Sequence, residues 1–477
     1  MNQENNQVKL GFWGLTAITF GMMVGAGIYN IPQNMSAGAG LGAVMIAWLI
    51  TAVGMLLLVA TFKTLADRRP DLNAGIYQYA QAGWGNFAGF SIAWGYWLCT
   101  CFANIAYAVM LNDAFGAFFP VMIDNGASEI LFGSLLIWIM FLIVRNGMRT
   151  AKNVNNILAA VKVVVILAII ALLAVNVRMG MFTRDFWGSP GMDGNLGDQI
   201  RSTMLVTLWC FIGIEGAVMM SARARRAADV GRAGIMGFFI AWLMYILVSV
   251  LCFGIMNQRE LAGLDNPSVA YVLRESIGPW AYWLVIGAVI VSLLGGWVSW
   301  TLVTAQIPYE AASVGILPRR FLRLNSHGMP TAGLVVSSVI MQLFLLLVVA
   351  AKDVYLAALS ITGMMVLPAY LMSAVYLWKS TLGHSRLGQL SRRRNMRFRI
   401  TAIACTFFCL WMIYAGGLGL LLLTSIFYLC GLPFFVSARR ESGGPMFTPR
   451  ERLLAAGLLL CAIISVILLA TGSIEGI

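Results

Sequence analysis

The chain has 477 residues, 60% of them hydrophobic and only 11% charged, with a formal net charge of +13. Soluble domains carry about 25% charged residues, so this composition excludes a soluble globular protein. Together with a mean hydropathy of +0.83 it points to a bundle of membrane helices whose partners are the lipid bilayer and small solutes, with no nucleic acid.

Apolar segments long enough to cross about 30 Å of hydrocarbon recur along the chain, about thirteen in all. They are expected near residues 12–34, 41–63, 86–118, 128–145, 154–177, 200–221, 233–256, 279–312, 331–351, 354–378, 399–416, 418–436 and 452–471. No charge separates the segments that meet at Ala415-Gly416-Gly417, so 399–436 reads either as two spans or as one re-entrant hairpin. The first apolar segment is full length and lacks a small-residue cleavage site, so no cleaved signal peptide is expected. Lys and Arg are strongly biased to one set of loops. Of the 32, 25 fall on the side of the N-terminus, six fall on the other side, and Lys162 lies inside a span. The positive-inside rule then predicts a cytoplasmic N-terminus. The basic run near Arg392, within a loop at 379–398, reads as a cytoplasmic segment beside anionic lipid.

Two spans carry helix breakers at mid-membrane. The first reads GMMVGAGIYNIP from Gly21 to Pro32. Gly costs roughly 1 kcal/mol and Pro about 3 kcal/mol in a helix interior. Freed backbone groups are tolerated in hydrocarbon only where they line a cavity or meet a ligand. A discontinuous helix with a substrate at the break is one reading, and close packing through the Gly21/Gly25 GxxxG pair is the other. The sixth span reads TLWCFIGIEGAVMM, with Glu215 between small residues. A carboxyl there costs about 2.5–3.5 kcal/mol on insertion scales. It is either a proton-titrating or substrate-linked group, or a structural one bonding a neighbouring backbone. Two broken spans five positions apart predict an inverted-repeat transporter, spans one to five repeated as six to ten. The N-termini of half-helices suit a carboxylate, and freed carbonyls suit an ammonium.

Lys162, about two turns from the cytoplasmic end of the fifth span, either snorkels to the interface or places an amine near the first break. The eight cysteines all fall in apolar segments without a CxxC pair, so free thiols and no metal site are expected. His327 and His384 stand far apart, and neither HExxH nor GxxxxGK[ST] occurs. An enzyme, a cofactor and direct coupling to ATP are therefore not expected. The chain reads as three regions: a transport core over 1–378, the basic loop at 379–398, and additional spans over 399–477.

GMMVGAGIYNIP, LWCFIGIEGA and GGWVSWTLVTAQIPYEAASVGILP resemble the amino acid–polyamine–organocation transporters. Within them the chain looks like the bacterial basic amino acid/polyamine antiporters, which include arginine/agmatine and arginine/ornithine exchangers. The resemblance implies an all-α, five-plus-five inverted-repeat core with spans one and six discontinuous, about three further C-terminal spans, and a place in the cell inner membrane. It implies that backbone at Met23, Val24, Ala26 and Gly27 holds the ammonium and carboxylate of a substrate. Trp209 would be an aromatic gate, with carbonyls near Ile212 completing the ammonium site. Glu215 would sense protons, Tyr96 would gate, and Asn104 would contact a guanidinium or amine. Trp297 and Trp300 are both candidates to stack on a cationic side chain, and WTLVTAQ favours Trp300. Where the arginine/agmatine pattern has Asn, this chain has Met22. Lys162 would occupy the place of a sodium ion and switch with protonation. Many relatives of this kind dimerise. The expected activity is exchange of a basic amino acid for a related amino acid or amine. Proton-coupled symport is the alternative, and a sensor or channel a more distant one.

Overall fold

The computed structural model describes residues 11–72, 75–120, 126–146, 148–190, 194–219, 224–348, 354–382, 392–443 and 445–471. The N-terminal residues 1–10 and most of the basic loop, 383–391, lie outside the described residues. Among the described residues the chain is helical, with an isolated bridge between Leu324 and Pro330.

The first span consists of α1 (Phe12–Met23) and α2 (Ile31–Ser36), followed by α3 (Leu41–Arg68), the short α4 (Ile76–Trp84), α5 (Asn86–Gly116), α6 (Gly126–Arg145) and α7 (Met148–Val175). After the single turn α8 (Met181–Arg184), the sixth span consists of α9 (Leu196–Trp209) and α10 (Gly216–Met219). Then come α11 (Ala227–Phe253), the short α12 (Gln258–Ala262) and α13 (Ser268–Ile277), α14 (Pro279–Ser313), α15 (Thr331–Val348) and α16 (Val354–Ser380). The order of broken, long and short helices is thus repeated. Even the junctions correspond: α4 meets α5 at Gly85 (φ +93°), and α13 meets α14 at Gly278 (φ +119°). Glycine adopts this backbone without the penalty a Cβ would incur. This is the five-plus-five inverted-repeat core, with spans one and six discontinuous.

Seven helices among the described residues are long and apolar enough to cross a membrane: α3, α5, α11, α14, α16, α17 (Arg392–Gly416) and α20 (Pro449–Ala470). The join expected at 415–417 is a turn at Gly417 (φ +92°). Beyond it α18 (Leu418–Leu429) and α19 (Leu432–Glu441) are bent by 40° and together form an eighth candidate. The other expected spans coincide with α1–α2, α6, α7, α9–α10 and α15. Of these, α1–α2 and α9–α10 are broken, so no single helix in either spans the full length.

The appended helices dock on the core. Phe435 of α19 packs edge-on against Phe87 of α5 at 5.2 Å, and the Glu451 carboxylate at the start of α20 accepts the Phe87 N–H at 3.2 Å. The Trp94 indole of α5 donates to the Phe427 carbonyl at 2.9 Å. On the opposite flank α3 meets α17 where Gly54 faces the Phe408 ring, and a Cβ at Gly54 would lie 2.1 Å from that ring. Gly54→Val is therefore expected to overpack this contact by about 1–3 kcal/mol. A lowered melting temperature in detergent, largely recovered by adding Phe408→Ala, is the expected result. An unchanged melting temperature would refute the close approach.

Candidate functional site

The two breaks face each other. α1 ends at Met23 because Val24 (ψ 94°) and Gly25 (φ −117°, ψ −143°) leave helical geometry. A 3-10 turn over Ala26–Tyr29 then leads into α2, which has Pro32 in its first turn. In the sixth span α9 stops at Trp209, and Gly213 takes φ +105° before α10. A Cβ on Gly213 would lie 2.8 Å from the Cβ of Met22 and 2.9 Å from its carbonyl carbon. The glycine thus permits the two breaks to touch.

Between them lies a small cavity of about 20 Å³. The first break contributes Met22, Met23, Gly25 and Gly27 to its wall, and the sixth span contributes Trp209 and Ile212. Ala103 and Tyr107 of α5, Tyr245 of α11 and Trp300 of α14 close it. None of these side chains is charged, and four are aromatic. The cavity has room for about one water. The Tyr107 hydroxyl is wedged between two glycines: a Cβ on Gly25 would lie 2.0 Å from it, and one on Gly296 3.0 Å. The Trp209 ring lies over Gly27, where a Cβ would come within 2.2 Å of it.

The carbonyls freed by the first break are taken by buried side chains. The Lys162 amine donates to the Val24 carbonyl at 2.6 Å and to the Gly21 carbonyl at 3.2 Å. With only 3% of its surface exposed, it points into the protein and does not snorkel. The Tyr245 hydroxyl donates to the Met23 carbonyl at 2.9 Å, while its ring stacks on Trp48 of α3. Of Ala26 only the backbone is described.

Glu215 forms a second cluster, fully buried. One carboxylate oxygen accepts from the Tyr96 hydroxyl, the other from the Tyr370 hydroxyl at 2.8 Å and the Gly213 N–H at 3.2 Å. Three donors, from α5, α16 and the break itself, thus converge on this buried carboxyl. Tyr96 does not line the cavity. Neither does Asn104, whose amide donates to the Thr100 carbonyl at 2.8 Å and the Thr304 hydroxyl at 2.9 Å. The Oδ1 of Asn104 is buried with no hydrogen-bond partner among the described residues, and so is the indole nitrogen of Trp297. Of the two candidate tryptophans, Trp300 lines the cavity, while Trp297 is fully buried and is not part of its wall.

Sequence reasoning passed over Gly25, Ala103, Tyr107 and Tyr245 as cavity wall. Ala103 was within reach, since it precedes Asn104 on α5. Tyr245 stands in an unbroken apolar helix, where nothing local distinguishes it from packing.

The chain matches the family model described as amino acid permease over residues 10–449. It is 40% identical over 483 residues to a protein of Chlamydia abortus named arginine/agmatine antiporter, covering 99% of each chain. A Chlamydia trachomatis serovar L2 protein of the same name is 41% identical over 472 residues, covering 98% of each. Its fold is similar to the crystal structure of MhsT in complex with L-phenylalanine, at a TM-score of 0.57 and 16% identity over 83% of this chain and 98% of that one. The chain belongs to the amino acid permease family, within the amino acid–polyamine–organocation transporters. It is a multi-pass membrane transporter and not an enzyme.

The wedge at Tyr107 makes a specific expectation. Gly25→Ala is expected to abolish most transport, because the new methyl occupies the position of the hydroxyl. Adding Tyr107→Phe removes that oxygen and should restore part of the rate; no recovery would show that the helix break itself, not the contact, was damaged. Lys162→Met keeps the volume but withdraws the donor from two buried carbonyls, at about 1–3 kcal/mol each. A melting temperature equal to that of the unsubstituted protein would rule out a clamping role for this amine.

Proposed function

We propose that this protein is a secondary antiporter that exchanges a basic amino acid for a related amine, with arginine and agmatine as the favoured pair. The carrying observation is the uncharged aromatic cavity, with Trp300 and Trp209 in its wall, between two broken helices. Relatives named arginine/agmatine antiporter, alike over nearly the whole chain, support the pair.

Arginine and agmatine share a guanidinium and an amine but differ in net charge by one carboxylate. A site that recognises the cation by an aromatic face accepts both, because it holds no fixed counter-charge tuned to either. Such a contact contributes about 0.5–2 kcal/mol. In this reading the guanidinium lies on Trp300, and the unpartnered Oδ1 of Asn104 turns to meet it. The α-carboxylate meets backbone N–H groups near Ala26 and Gly27. The α-ammonium meets carbonyls near Ile212 and shares those of Met23 and Val24 with Tyr245 and Lys162. Trp297 supports Trp300 from behind. The Lys162 amine stands where a cation would otherwise be needed, so sodium is not required. Glu215 links proton binding to the sixth-span break, and Tyr96 gates through its hydrogen bond to that carboxyl.

The present cavity is too small for arginine. Trp209 and Tyr107 must swing away to admit it, and exchange follows if the emptied site cannot reorient easily. The core over 1–378 does the transport, with the loop at 379–398 and the helices over 399–477 attached to it. The protein resides in a bacterial inner membrane with its N-terminus in the cytoplasm and forms homodimers.

Proteoliposomes preloaded with agmatine are expected to take up labelled arginine, while buffer-loaded ones do not. Uptake into buffer-loaded vesicles driven by an inward proton gradient would replace exchange with symport. Trp300→Ala should raise the KM for arginine about 2–30-fold, and Trp300→Phe much less.

A further inference from the structure

The helices beyond the tenth span have no part in the cavity, yet they carry a second concavity. Between α19 and the segment entering α20 is a groove of about 500 Å³. Leu432, Pro433, Val436 and Phe447 form its apolar wall, and Ser437 and Arg440 its polar rim. The groove lies on the perimeter of the molecule: on α20 Leu453 is 76% exposed and Leu454 50%. A wall that is apolar along one length and cationic at one end has the polarity of a single phospholipid.

The charge around the rim is one-sided. Arg439 and Arg440 occupy the last turn of α19, and Arg450 and Arg452 the first turn of α20. The two carboxylates nearby are already engaged by backbone donors. Glu441 accepts the Arg319 N–H at 2.6 Å, and Glu451 accepts the N–H groups of Phe87 and Thr448. Arg440 has no carboxylate partner among the described residues. An anionic headgroup supplies the missing charge, and an acyl chain covers Leu432, Val436 and Phe447.

We infer that this groove binds one anionic phospholipid, its phosphate at Arg440 and its acyl chain along α19. Bound there, the lipid bridges α19 and the start of α20, and both are fixed to α5 through Phe87. A zwitterionic lipid brings its own positive charge next to Arg440 and binds less well.

The test uses native mass spectrometry of the full chain in neutral detergent, with phosphatidylglycerol, phosphatidylcholine or inorganic phosphate added. One phosphatidylglycerol per chain is expected to be retained in preference to phosphatidylcholine. Arg440→Gln should weaken it about fivefold, the contribution of one arginine at an anionic surface. Val436→Trp, which fills the groove and leaves every arginine in place, should also weaken it. Arg274→Gln, in the opposite set of loops, should not. Equal retention of phosphatidylcholine would overturn the proposal, as would undiminished binding in both groove variants or displacement by millimolar phosphate. A pair of chains associated through this face without lipid would overturn it too.

Discussion

A peptide group has nowhere to hide in hydrocarbon, so each one released from a helix must find another partner. Two helices here are interrupted at mid-membrane, and the rest of the core is arranged around the groups they release. Lys162 from α7 reaches two carbonyls at the end of α1, and Tyr245 from α11 takes the one between them. Gly213 donates its N–H to Glu215, which lies in the same break. A polar residue at each of these places would be costly in an intact apolar helix. Beside a break it satisfies an obligation the backbone has created.

The same interruptions shape the cavity by pairing small residues with large ones. Gly25 and Gly296 accommodate Tyr107, Gly27 accommodates the Trp209 ring, and Gly213 accommodates Met22. Tyr107 and Trp209 consequently stand in the wall between the breaks. The wall is uncharged and presents aromatic faces and backbone groups to the space between the breaks.

Glu215 connects this cavity to the more distant helices. Its two tyrosine donors come from α5 and α16, and its backbone belongs to the sixth-span break. A change in the charge of this carboxyl therefore alters hydrogen bonds to two different helices at once. Lys162 is placed comparably at the first break, so each discontinuity has one ionisable side chain beside it.

Much of this was legible in the sequence. Composition determined the membrane bundle, and the glycines of GMMVGAGIYNIP and TLWCFIGIEGAVMM marked spans one and six as candidates for a break, which the helix ends at Met23 and Trp209 decide. Those signals are local: helix propensity and the energetic penalty for a buried carboxyl act at the residue itself. The sequence also placed Trp209, Ile212 and Trp300 near a substrate through family resemblance. It could not separate Trp297 from Trp300 by chemistry, since both are tryptophans on one helix, and only the rotation of α14 against the cavity decides between them. Nor could it show that Tyr96 turns to Glu215, that Tyr107 fits between glycines 271 residues apart, or that Tyr245 caps a carbonyl of the first span. Those facts depend on how helices distant in sequence are rotated and packed against one another. An unbroken apolar helix carries no local mark of which of its faces will meet a partner.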